Sequence, residues 1–63
     1  MRQYAVLTRD PDFTQVMNWV SANHLQYEIH LNRTRFFVPE DKLLTEFLLK
    51  FCHCCHEVDE SLL

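Results

Sequence analysis

Gln26-Tyr27-Glu28-Ile29-His30-Leu31-Asn32 alternates polar and apolar side chains without a miss, and Thr34-Arg35-Phe36-Phe37-Val38 follows it across one residue. A period of two puts Tyr27, Ile29 and Leu31 on one face of a strand and Gln26, Glu28, His30 and Asn32 on the other. With Asn32-Arg33 read as a two-residue turn, Leu31 faces Thr34, Ile29 faces Phe36 and Tyr27 faces Val38. The apolar faces then coincide, which is what specifies a hairpin register. That turn contains no glycine, so it demands an unfavourable positive φ of Arg33. On the second face His30 lies opposite Arg35 and Glu28 opposite Phe37, which sets an aromatic ring beside a cation.

Upstream of the hairpin, Gln3 to Thr8 is rich in strand formers, with Tyr4, Val6 and Thr8 on one face and Ala5 and Leu7 on the other. Asp10-Pro11 ends that strand, because the residue before proline is pushed to extended geometry while Asp caps a helix whose first turn accepts Pro. Phe13, Val16, Met17 and Val20 then recur at the spacing of a buried helical stripe, predicting a helix from Pro11 to Asn23. Downstream, Pro39-Glu40-Asp41 opens a second helix with proline first and two carboxylates at the positive end of the dipole. Leu44, Phe47, Leu48, Phe51, Cys55 and Val58 keep helical spacing over four turns, while Leu49 points away from that stripe. The acidic tail from Glu57 to Leu63 is expected to fray.

The predicted order is β-α-β-β-α in one α+β domain spanning residues 1–63. Right-handed crossovers close it most simply as a three-stranded antiparallel sheet, strand one beside strand three, with both helices on one face. The layout resembles a ferredoxin-like plait without its last strand, a likeness that carries no function. No internal repeat, linker or low-complexity stretch interrupts it.

A chain of 63 residues buries only about 60% of the surface its unfolded form exposes, so help from a dimer, a partner or a metal is in keeping with its size. Hydrophobic residues make up 48% of it, which separates it from disordered, strongly charged segments. The net charge of −3 argues against sequence-independent attraction to phosphates. Residues 1–38 carry four arginines against three carboxylates, and residues 39–63 carry two lysines against six, an asymmetry suited to steering a partner. Met1-Arg2-Gln3-Tyr4 lacks a signal-peptide pattern and no apolar run approaches a membrane span, so a cytoplasmic protein without a membrane partner is expected. Three cysteines crowded into four positions suit a reducing compartment better than a disulfide framework.

The absence of glycine removes the phosphate-cradling loop, the dinucleotide fingerprint and the nucleophile elbow, so no enzyme is predicted and no cofactor. Cys52-His53-Cys54-Cys55-His56 is the one cluster with metal-ligating chemistry. On a helix Cys52, Cys55 and His56 would share a side and offer soft ligands to zinc, against the plainer reading of core cysteines flanked by solvated histidines. The Cys52-to-Cys55 spacing is that of a redox pair, but at a helix end the dipole opposes a thiolate.

The leading expectation is a small regulatory or inhibitory protein that binds a larger protein. Its contacts would be the open sheet face or the unpaired edge of strand one, with Phe37, Arg35, His30, Glu28, Tyr4 and Leu49 as candidate residues. A homodimer is the simplest partner. Single-stranded nucleic acid stacked on the Phe37 and Arg35 face is the alternative, and zinc binding through the Cys52–His56 cluster comes third.

Overall fold

Strand β1, Arg2–Leu7, is the centre of the sheet, and its composition shows why. Tyr4 and Val6 are buried on one face, and Gln3 and Ala5 are buried on the other. The computed structural model describes residues 2–58, in the order β1, α1 (Phe13–Ala22), β2 (Tyr27–Ile29), β3 (Arg33–Val38), α2 (Lys42–Phe51) and β4 (Cys55–Glu57). The sheet order is β2-β3-β1-β4 and every pairing is antiparallel. This is the complete split β-α-β layout, with four strands where the sequence predicts three.

The fourth strand corrects the reading of the last helix. Helix α2 stops at Phe51, residues 52–54 turn, and Cys55–Glu57 pairs with β1 as Tyr4↔Glu57, Ala5↔His56 and Val6↔Cys55. Val58 N–H extends the ladder by donating to Gln3 O at 2.8 Å. Cys and His are weak helix formers, and the segment from Cys55 onward pairs with the edge of β1 that would otherwise lack a neighbour. Glu57 therefore sits in a strand and Val58 is bonded beside it, so these two residues of the tail expected to fray are ordered against β1; residues 59–63 lie outside the described residues.

The hairpin register is also shifted. Tyr27 pairs with Phe36, Glu28 with Arg35 and Ile29 with Thr34, while His30 N–H donates to Arg33 O at 2.8 Å. The loop is thus Leu31-Asn32, and Arg33 begins β3. A slip of two residues keeps the faces matched, so the alternation of side chains cannot discriminate between the registers. No residue of the loop needs positive φ; among the described non-glycine residues only His24 has one, at 57°.

Both helices lie on one face of the sheet. Val16, Trp19 and Val20 from α1 and Phe47 and Phe51 from α2 pack with Tyr4, Val6, Phe36 and Val38 into one buried cluster. Phe47 is its hub, with ring centroids 4.7 Å from Tyr4, 5.6 Å from Trp19, 5.4 Å from Phe36 and 5.9 Å from Phe51. Trp19 lies outside the predicted stripe yet is buried, because its indole N–H reaches Glu46 at the rim.

The two helix starts differ. At α2 the Asp41 carboxylate accepts from Leu43 N–H at 2.8 Å, an ordinary N-cap. At α1 the N-cap residue is Asp12, which makes no side-chain cap; Asp10 instead accepts from Asp12 N–H at 2.8 Å. Helix α1 ends in a Schellman arrangement, with Leu25 N–H bonded to Val20 O and His24 N–H to Ser21 O. Among the described residues, no helix is long and apolar enough to cross a membrane.

Candidate functional site

Strand alternation divides the sheet into a covered face and an open one. On the open face the register aligns Val58, Gln3, Phe37 and Gln26 in one row, and His56, Ala5, Arg35 and Glu28 in the next. Leu7, Arg33 and His30 form a third row. Phe37 and Arg35 are half-buried there, whereas Phe36 and Val38, one position away, are fully buried on the helix side.

Glu28, His30 and Arg35 form a linked trio. Arg35 Nε donates to His30 Nε2 at 3.0 Å, and the Arg35 guanidinium lies 3.4 Å from Glu28. His30 is 3.5 Å from the same carboxylate. The register moves Glu28 opposite Arg35 and His30 opposite Arg33, so the expected cross-strand partners change while the cluster itself forms. Two of the Arg35 guanidinium nitrogens are thus engaged by His30 and Glu28 on the exposed side of the hairpin. Beside it, Gln3 is 7% exposed and its Oε1 has no partner among the described residues. An orphaned buried acceptor costs about 1–3 kcal/mol.

The other expected contact residues separate. Tyr4 is 5% exposed and packs at a tilt against Phe47, so it belongs to the core and not to a surface. Leu49 is 82% exposed on the outer side of α2. The edge of β1 is not free: β3 covers one side and β4 the other. The outer strand on the hairpin side is β2, all three of whose residues are exposed.

An apolar band runs along β2. Ile29 is 74% exposed and Leu31, at the hairpin tip, 100%. Tyr27 is also exposed, and Leu7 reaches the same end of the molecule, where it lines a shallow hollow with Thr8, Arg9, Leu31 and Asn32. Tyr27 and Ile29 share the helix-side parity of Phe36 and Thr34, but β2 lies beyond the cover of the helices. Alternation identifies the apolar face of this strand and does not reveal that the face lacks a roof.

The cysteine cluster is rearranged by the early end of α2. Cys52 is exposed at the helix C-cap, Cys55 stands opposite Val6 on the helix side, and His56 stands opposite Ala5 on the open face. Successive strand residues point to opposite faces, so Cys52, Cys55 and His56 do not form the ligand set a helix would have made of them. The trio that does converge is Asp12, His53 and Cys54, whose ligand atoms lie within 4.8 Å of one another. His53 Nε2 is 2.9 Å from Asp12 Oδ2, and Cys54 Sγ is 3.8 Å from Cys55 Sγ. Burial pushes the Cys54 thiol up, with the carboxylates of Asp10 and Asp12 adding to it and the Cys55 contact opposing. Burial raises Cys55 as well, followed by its neighbour Cys54. Both groups are thereby held as neutral thiols, the form that does not attack an electrophile.

The chain matches no protein-family model, no curated protein and no solved structure.

Proposed function

We propose that this chain is a non-enzymatic binding module that docks a larger protein along strand β2, in the manner of a regulator or inhibitor. The observation that carries this reading is the unroofed apolar band of Tyr27 and Ile29, continued by Leu31 at the hairpin tip, on a strand whose outer edge has no neighbour among the described residues. An outer edge offers unpaired N–H and C=O groups to an incoming strand, and apolar side chains flanking it add affinity. The half-buried Phe37 and the Glu28–His30–Arg35 trio lie on the opposite face of the same hairpin, where they extend the contact. A second copy of the chain is the simplest such partner.

Single-stranded nucleic acid on the open face has less support. Phe37 is the one phenylalanine, tyrosine or tryptophan in its three described rows, Arg35 is paired with Glu28, and the net charge is −3. Base-stacking sheets combine several aromatic platforms with free cations.

The experiment is affinity capture with the wild type and an Ile29→Lys, Leu31→Lys double variant, beside sedimentation of both. A lysine on an edge strand blocks strand addition without disturbing the core. Loss of the captured protein, or of a dimer, in the double variant and its retention in Leu49→Lys supports the β2 reading. Equal capture by the wild type and the double variant overturns it.

A further inference from the structure

Asp12 opens helix α1, yet its carboxylate does not cap that helix. An N-cap side chain ordinarily stabilises the helix it opens, and Asp41 at the start of α2 makes that bond. Asp12 turns instead to the residues that follow α2, placing Oδ2 2.9 Å from His53 Nε2. Cys54 Sγ completes a set of three ligand atoms, one oxygen, one nitrogen and one sulfur, all within 4.8 Å of one another. The three come from two places 41 residues apart in the chain, the turn before α1 and the turn between α2 and β4.

We propose that Asp12, His53 and Cys54 bind a divalent cation of the zinc class, which clamps the start of α1 to the turn after α2. Zinc takes carboxylate oxygen, imidazole nitrogen and thiolate sulfur at about 2.0–2.3 Å, so a tetrahedral site needs its ligand atoms roughly 3.3–3.8 Å apart. Movement of about an ångström closes the present trio onto that geometry. Calcium and magnesium are not the occupants, because they take oxygen ligands and do not choose thiolate or imidazole. On binding, the Cys54 thiol releases its proton to solvent, the imidazole binds through a neutral nitrogen, and water fills the fourth position. In a chain of 63 residues such a clip adds what a small core lacks.

The test is titration of the full chain, reduced and stripped of metal, with Co²⁺ and then Zn²⁺, read by absorption and thermal melting. The wild type is expected to develop a thiolate-to-cobalt charge-transfer band, to lose it to Zn²⁺, and to melt higher with either ion. Cys54→Ser removes the band. His53→Gln and Asp12→Asn keep the band and weaken binding by more than the roughly tenfold lost with an outer-shell partner. Cys52→Ser leaves band and affinity unchanged. No band in the wild type, a band that survives Cys54→Ser, or a band lost in Cys52→Ser overturns the assignment. Because His53 is exposed, His53→Gln tests the site even if Cys54→Ser fails to fold: wild-type affinity in that variant also overturns it.

Discussion

Trp19 Nε1 donates to Glu46 Oε1 at 2.8 Å, joining α1 to α2 across the rim of the core. The indole hydrogen bond, with Lys50 beside it, holds the Glu46 carboxyl below its ordinary value of 4.5, while desolvation opposes the shift. A carboxylate with a lowered folded-state pKa contributes stability that is fully present above the unfolded value and is lost as pH falls through the folded one. The melting temperature is therefore expected to fall faster below pH 4.5 in the wild type than in Glu46→Gln, whose amide oxygen still accepts the indole but does not titrate. Trp19 is the sole tryptophan, so its fluorescence follows both the melt and the local titration. Parallel pH profiles for the two proteins would remove this coupling.

Phe36 and Phe37 are adjacent and should behave oppositely. Phe36 is fully buried at 5.4 Å from the Phe47 ring, and truncating such a residue costs roughly 3–5 kcal/mol through lost burial and a cavity. Phe37 is half-buried on the open face, so Phe37→Ala should cost about 1 kcal/mol or less of folding stability. Urea denaturation of both variants measures the difference. Equal losses would mean that the open face is covered in solution.

The strand character of Tyr27–Ile29 within the longer alternating stretch, the burial of Phe36 and Val38 and the stripe of Val16, Val20, Phe47 and Phe51 were legible in the sequence, because each follows from side-chain period alone. What was not legible depends on which backbone edge needs a partner. Cys55 and Val58 fit a helical spacing as well as a strand, and only the unpaired edge of β1 decides between them. Likewise Tyr27 and Ile29 read correctly as one apolar face, but their exposure depends on where the helices end above them. Asp12 and His53 meet through the crossing of two turns 41 residues apart, which no local pattern encodes. Trp19 falls off the predicted stripe, and its distant partner Glu46 has the same character.

His24 occupies the left-handed position that closes α1, at φ 57°. Glycine is the usual residue there because a Cβ costs about 1–2 kcal/mol in that region. The sequence contains no glycine at all, so the strain is borne by a histidine whose side chain is exposed. His24→Gly should stabilise the fold by about 0.5–1 kcal/mol, the remainder being offset by the greater freedom of glycine in the unfolded chain. For a domain of this size that is a rise of several degrees in Tm. A lower Tm in the variant would show that the His24 side chain makes a stabilising contact.

The two readings of residues 55–58, strand or helix, predict different responses to proline. Val58 N–H donates to Gln3 O, and in an antiparallel ladder the pairs that exchange hydrogen bonds alternate. Ala5↔His56 is therefore the next exchanging pair, while the N–H groups of Cys55 and Glu57 point away from β1. Proline at 56 deletes a donor to the carbonyl of Ala5, a fully buried residue, and should cost about 1–3 kcal/mol. Proline at 57 removes an N–H on the outer side of an edge strand, where proline is tolerated, along with a 3.9 Å contact between Arg2 and Glu57 that is exposed and worth little. Urea denaturation of His56→Pro and Glu57→Pro is expected to show the first loss and a second well under it. In a continuous helix both prolines would lie in the interior and each would cost about 3 kcal/mol or more, so equal and large losses would restore the helix and remove β4.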